Sequence, residues 1–139
     1  MYEKILVAVD QSDVATRVLN AALGLASLSQ GEVWVLHLRE REPTGKTGLL
    51  TSSEGSDEAN EAVSAVVDTL TKAGIKAHGT VRDVLFGYAA REIVNDAQEH
   101  GVGVIVMGSR GRGDLAGLVL GSTAHKVIHL TDRPVLVAR

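Results

Sequence analysis

Apolar residues along this chain gather in short runs that alternate with amphipathic stretches. Ile5–Val9 is a branched, apolar run that stops at Asp10. Its length and lack of alternation predict a strand buried on both faces, as a parallel sheet requires. Asp10-Gln11-Ser12-Asp13 breaks the run, and Ser12 or Asp13 is suited to cap a following helix. In that helix Val14, Val18, Ala21, Ala22 and Leu25 recur at helical spacing. Gly31 ends the unit, and Val33–Leu38 reads as a second strand with Trp34 and His37 inside the run. Residues 39–57 then break the rhythm. Pro43, three glycines and a cluster of Ser and Thr show no periodicity, which predicts a mobile loop of a length that is often functional.

A second helix is expected from near Ser56 or Asp57, with Ala59, Ala62, Val63, Val66, Val67 and Leu70 as its apolar stripe and Gly74 at its C-cap. Ile75–Val81 is a weaker third strand. A helix follows over roughly residues 87–99, with Ala90, Ile93, Val94 and Ala97 facing inward. Val102–Met107 is the fourth strand, and a glycine-rich stretch runs from Gly108 to Gly121. A last helix starts near Ser122, and Pro134 precedes a fifth strand, Val135–Ala138. Strands alternating with helices predict one α/β domain over residues 1–139. It is a Rossmann-like open five-stranded parallel sheet with helices on both faces and strand order 3-2-1-4-5. Ligands of such sheets sit beyond the carboxyl ends of the strands, where the winding reverses. That places Asp10, Leu38, the 39–57 loop, Asp83 and Gly108 onward around the candidate crevice.

Composition narrows the function classes. The chain of 139 residues has no cysteine, which rules out disulfides, thiol catalysis and cysteine-ligated zinc. Aromatics are 3%, so stacking platforms for single-stranded nucleic acid have few members. The formal net charge of −3 provides no general footprint for nucleic acid. No apolar run approaches the roughly 20 residues that span a bilayer, and the start of the chain does not read as a secretory signal. The expectation is a soluble cytoplasmic protein without a nucleic-acid or membrane partner.

The chemistry concentrates in Gly108-Ser109-Arg110-Gly111-Arg112-Gly113 and the later Gly121-Ser122-Thr123. Glycines after a buried strand let the backbone turn sharply and approach a ligand. The first N–H groups of the last helix lack intrahelical partners and, with the helix dipole, favour an anion. Ser122 and Thr123 add hydroxyl donors, and Arg110 and Arg112 add positive charge, a set suited to phosphate. The segment is not a Walker A loop, since no Gly-Lys-Ser/Thr follows four residues after a glycine, and not a dinucleotide fingerprint, since Gly101-Val102-Gly103 precedes a strand.

Gly108 and Gly111 are separated by two residues, and nine more precede Gly121-Ser122. This Gly-x2-Gly-x9-Gly-Ser/Thr pattern resembles the universal stress protein family, in its ATP-binding branch. The resemblance extends to Lys4–Asp10 as the opening strand, Val35-Leu36-His37-Leu38 as the second and Ile105–Gly111 as the fourth strand and phosphate loop. Arg133–Val137 resembles the closing strand. One departure is visible: the family often carries Asp just before the fourth strand's apolar run, where this chain has Gly103. That change is expected to loosen the local turn.

The resemblance implies a site for ATP with Mg2+. Backbone groups of Leu38 meet the adenine edge, and Ala8, Val9 and Met107 line the base and ribose. Asp10 sits near the ribose or a magnesium ion. Gly108, Ser109, Arg110 and Gly111 wrap the ribose and inner phosphates, and Gly121, Ser122 and Thr123 hold the outer ones. It implies a nucleotide-dependent stress-response switch with at most slow hydrolysis or self-phosphorylation, since no base or water-positioning residue is evident. It also implies a homodimer through the closing strand, Val135–Ala138, and a protein partner of unknown identity.

Other readings stand beside these. Asp10 is also suited to cap the first helix, and Ser122 to be an N-cap only. His125 and His129 lie one turn apart, but zinc needs a third protein ligand and none is placed, so surface or interface histidines are the better reading. His37 reads as a strand-end residue near the pocket, and Glu40-Arg41-Glu42 as a solvated loop. A pure interaction module, or a sensor for AMP or cyclic AMP, remains the alternative function, because phosphate-binding groups do not count phosphates.

Overall fold

Side chains alternate across a strand, so a strand apolar at every position must be covered on both faces. The computed structural model, which describes residues 1–10, 15–45, 48–51, 55–109 and 120–139, shows how the chain does this. The strands are Lys4–Val9 (β1), Glu32–Thr44 (β2), Leu49–Thr51 (β3), Ala77–Leu85 (β4), Val104–Gly108 (β5) and Val135–Ala138 (β6). The helices are Ala15–Ser29 (α1), Ser56–Lys72 (α2), Ala89–Glu99 (α3) and Ser122–Leu130 (α4). Ile5, Val7 and Val9 turn to one face, where they meet Val18, Ala22 and Ala26 of α1 and Val63, Val66 and Leu70 of α2. Leu6 turns to the other, with Leu36, Ile105 and Met107, under Ala90, Ile93, Val94 and Ala97 of α3 and Ala124 and Val127 of α4. Each such buried aliphatic side chain contributes about 1.5–3 kcal/mol relative to exposure.

Five strands run parallel in the order β4-β2-β1-β5-β6, the expected 3-2-1-4-5 order of the Rossmann-like sheet. The sixth, β3, was not foreseen. It pairs antiparallel with the far end of β2 through Glu42–Thr51, Pro43–Leu50 and Thr44–Leu49.

The expected loop over residues 39–57 is therefore corrected at 39–44 and 49–51, which are strand. Arg39, Glu40 and Arg41 carry no apolar alternation, so the sequence reads as solvated. The strand persists because β4 runs beside it to the Arg41–Leu85 pair. Asp83 stands opposite Arg39, and its two carboxylate oxygens lie 3.4 Å from Arg39 and 3.2 Å from Arg41. Cross-strand charge pairing substitutes for apolar packing on that face. Asp83 is accordingly a β4 residue engaged by two arginines rather than a group that follows its strand. Glu40 accepts a bond from the Gly87 amide at 3.3 Å, which ties β2 to the turn before α3.

Gly103 does not loosen the turn before β5. Its amide donates to the Lys4 carbonyl at 2.9 Å, and a Cβ there would collide with the carbonyl oxygen of Met1. The missing side chain is the space that the amino-terminal residue occupies. No described helix is long and apolar enough to cross a membrane.

Candidate functional site

β1 lies between β2 and β5, and the connections leave it in opposite directions. The β1–β2 ladder runs to the Val9–His37 pair, whereas the β1–β5 ladder stops at Val7–Val106. Beyond that point β1 and β5 part, with Asp10 following the end of one and Gly108 ending the other. This is the switch point at which open α/β sheets take ligands.

The glycine-rich segment begins and ends here. Gly108 pairs with Ala138 at the last rung of the β5–β6 ladder, and the Ser109 amide donates to the Ala138 carbonyl at 2.9 Å. The Ser109 carbonyl accepts the Gly121 amide. Ser109, with 4% of its surface exposed, is thus clamped between β6 and the entry to α4. Arg110 and Gly111, two of the expected site residues, lie outside the described residues.

Gly121 is the N-cap of α4, with φ −69° and ψ 162°, and Ser122 is the first helical residue. Ser122 is therefore not the cap. The first intrahelical bond runs from His125 to the Gly121 carbonyl at 3.0 Å, and no side chain caps the helix. The amides of Ser122, Thr123 and Ala124 precede that bond. Among the described residues no N-cap side chain bonds them and the first turn holds no acidic residue, so the helix start favours an anion.

The remaining expected residues divide by face. Ala8, Leu38 and Met107 belong to the α3/α4 side of the sheet, and Leu38 and Ala8 are half-buried there. Val9 turns its side chain into the α1/α2 core, so at the crevice it presents backbone. Asp10 is half-buried beyond the end of β1. The fold thus brings Ala8, Asp10, Leu38, Met107, Gly108, Ser109 and the Gly121–Thr123 turn to one end of the sheet.

His37 has a larger part than a strand-end residue. It is 2% exposed, and its Nδ1 lies 2.8 Å from the Val9 carbonyl oxygen. A carbonyl only accepts, so Nδ1 carries the hydrogen. The signal in the sequence was a histidine inside an otherwise apolar run, at a position whose solvent access only the fold decides.

Other titrating groups strut β4 to α3. Arg82 reaches Glu92 at 2.9 Å, Asp96 at 2.8 Å and Glu99 at 3.6 Å. Burial pushes the Asp96 carboxyl above its ordinary range, and Arg82 and His100 pull it partly back. At the amino end of β2, Trp34 lies 5.1 Å from the rings of both His78 and His100. There Glu32 bonds His78 and Lys76, which holds its carboxyl below the usual value.

A parallel α/β sheet whose switch point meets a helix start without a side-chain cap defines a candidate ligand crevice. The chain belongs to the universal stress protein family, which matches over residues 1–139. The universal stress protein YxiE of Bacillus subtilis is 39% identical over 149 residues, covering 100% of both chains. The solved structure of MJ0577 from Methanocaldococcus jannaschii superposes with a TM-score of 0.81 at 26% identity, over 99% of this chain and 96% of that one. The universal stress protein of Archaeoglobus fulgidus, solved in complex with dAMP, gives a TM-score of 0.74 at 31% identity, over 99% of this chain and 98% of that one.

Proposed function

We propose that this chain is an ATP-binding universal stress protein that acts as a nucleotide-dependent switch. The observation that supports this reading is the clamp of Ser109 to Gly121, which sets the first amides of α4, those of Ser122, Thr123 and Ala124, beside the split between β1 and β5. A triphosphate laid across that split has its outer phosphates at the start of α4 and its inner ones along Gly108 and Ser109. Leu38, Ala8 and Met107, which share a face, form the apolar wall for base and ribose, and the Val9 backbone completes it. Asp10 offers hard carboxylate oxygen at the crevice mouth, which fits a magnesium ion carried with the phosphates. Such an ion neutralises phosphate charge. Asp10 then serves the ribose or the ion, and the reading contains no rapid hydrolysis, because no described site residue is dedicated to orienting a water.

Binding stabilises the occupied conformation by mass action, by about 2.7 kcal/mol at a hundred times Kd. The switch output is the surface around the crevice in a homodimer joined through β6. That strand is hydrogen-bonded to β5 and ends the order of the sheet. A second reading, a sensor for an adenine monophosphate, is favoured by the dAMP complex of the Archaeoglobus fulgidus relative.

Calorimetry of the nucleotide-free protein with ATP, ADP, AMP and cyclic AMP, each with magnesium, separates the two. Saturation near one ATP per chain, with affinity falling as phosphates are removed, is the expected result. Equal or tighter binding of AMP would establish the monophosphate sensor. No saturation by any of them would leave an interaction module.

A further inference from the structure

Between α3 and α4 is a concavity of about 470 Å³ whose described lining includes neither Ser109 nor Gly121. It is lined by Tyr88 and Arg91 of the α3 entry and by His125, Lys126, His129 and Leu130 of α4. No carboxylate is among the described residues that line it. We infer that this groove binds a small phosphate-bearing polyanion, at a site separate from the nucleotide crevice.

Charge is the first argument. In a chain of net charge −3, four of the described cations elsewhere sit in ion pairs. Arg39 and Arg41 hold Asp83, Lys76 holds Glu32, and Arg82 holds three carboxylates. Among the described residues no carboxylate is paired with Arg91 or Lys126. The acids of α3 do not serve, because Glu92, Asp96 and Glu99 all turn to Arg82 on the sheet side. Two cations from different helices therefore converge on one hollow whose described lining supplies no counter-charge.

Shape and donor chemistry are the second. The volume falls within the roughly 300–1,000 Å³ of small-molecule sites. Arg91 presents a planar fork that matches phosphate oxygens, and Lys126 a point charge with three donors. The His125 and His129 rings meet edge to face, with centroids 4.5 Å apart, and add ring nitrogens beside Lys126. The Tyr88 ring, 55% exposed, supplies a flat surface and a hydroxyl at the other wall. The set suits a compact anion with several oxygens. An extended helix would need a row of large apolar anchors, and among the described lining residues the large ones are Leu130 and Tyr88, beside the small Ala90.

Inorganic tripolyphosphate is the probe, titrated into isotope-labelled protein and followed by amide and imidazole NMR signals. The expected result is saturable shifts at Arg91, His125 and His129 with a Kd on the order of 1 mM or tighter. The double variant Arg91→Gln/Lys126→Gln, both exposed positions, weakens this by about tenfold or more and leaves ATP calorimetry unchanged. Gly121→Val leaves the groove shifts in place. Shifts confined to residues 121–124, or abolished by Gly121→Val, would overturn the inference, because the start of α4 would then be the anion site. Non-saturating shifts that vanish at about 0.15 M salt would overturn it as well, leaving only a screened surface field. Binding of a polyglutamate peptide without any response to tripolyphosphate would reassign the groove to an acidic protein segment.

Discussion

His37 Nδ1 donates to the Val9 carbonyl oxygen across 2.8 Å, at the last rung of the β1–β2 ladder. The bond lies one residue before Asp10 and is buried, since His37 is 2% and Val9 7% exposed. Removing the donor strands a carbonyl away from water, at a cost of about 1–3 kcal/mol. His37→Ala is therefore expected to lose that much stability in urea unfolding and to weaken ATP binding through a displaced Val9–Asp10 backbone. His37→Gln, which keeps a donor, recovers part of both. Full stability in the alanine variant would show that the bond contributes nothing.

Gly121 has an extended backbone that any residue adopts, so a side chain there is not refused by φ and ψ. What it alters is the approach of a ligand to the amides of Ser122 and Thr123. Gly121→Val is expected to retain the circular dichroism spectrum and a cooperative melt while losing saturable ATP binding in calorimetry. Normal binding by this variant would mean that the phosphate turn lies elsewhere.

Asp96 makes the stability depend on pH in a stated direction. Its native carboxyl titrates above the ordinary 3.8, chiefly through burial, against the pull of Arg82 and His100. The native state thus holds the proton more tightly than the unfolded chain. This group's contribution is whole below the unfolded value and is lost as pH rises through the raised native one. Asp96→Asn cannot titrate. Its stability relative to the parent is expected to grow from pH 4 to pH 7, as read by urea midpoints. A variant losing stability relative to the parent over that range would show that the ion pairs outweigh burial.

Leu136 is 41% exposed on β6, the strand that ends the sheet order. Edge strands with apolar side chains pair with other chains, and a charge on the edge opposes this. The parent is expected to scatter light as a dimer at micromolar concentration, and Leu136→Glu as a folded monomer. A monomeric parent would remove the β6 interface from the proposed switch.

Much of the fold was legible because its cause is local. Ile5–Val9 and Val104–Met107 are apolar at every position, which only a strand covered on both faces satisfies. The stripe of α2 and the start of α4 at Ser122 follow from spacing and glycine punctuation. The order 3-2-1-4-5 agreed with β4-β2-β1-β5-β6 because right-handed crossovers and the family pattern leave few alternatives. The extension of β2 was not legible, because the partner that stabilises Arg39 and Arg41 is Asp83, more than forty residues away.

The sequence by itself determined which residues are candidates: a strand ending at Asp10, a glycine turn after Met107, and a helix start at Ser122 with hydroxyls beside it. Spacing and composition are properties of neighbours in the chain, and these features depend on little else. Only the tertiary structure decided that Ser109 clamps Gly121, that His37 holds Val9, and that Gly103 makes room for Met1. It alone also gathered Arg91 and Lys126 around a hollow whose described lining holds no carboxylate. Those relationships join distant segments, and hydrogen bonds, steric contact and charge act through space, so the order of residues does not record them.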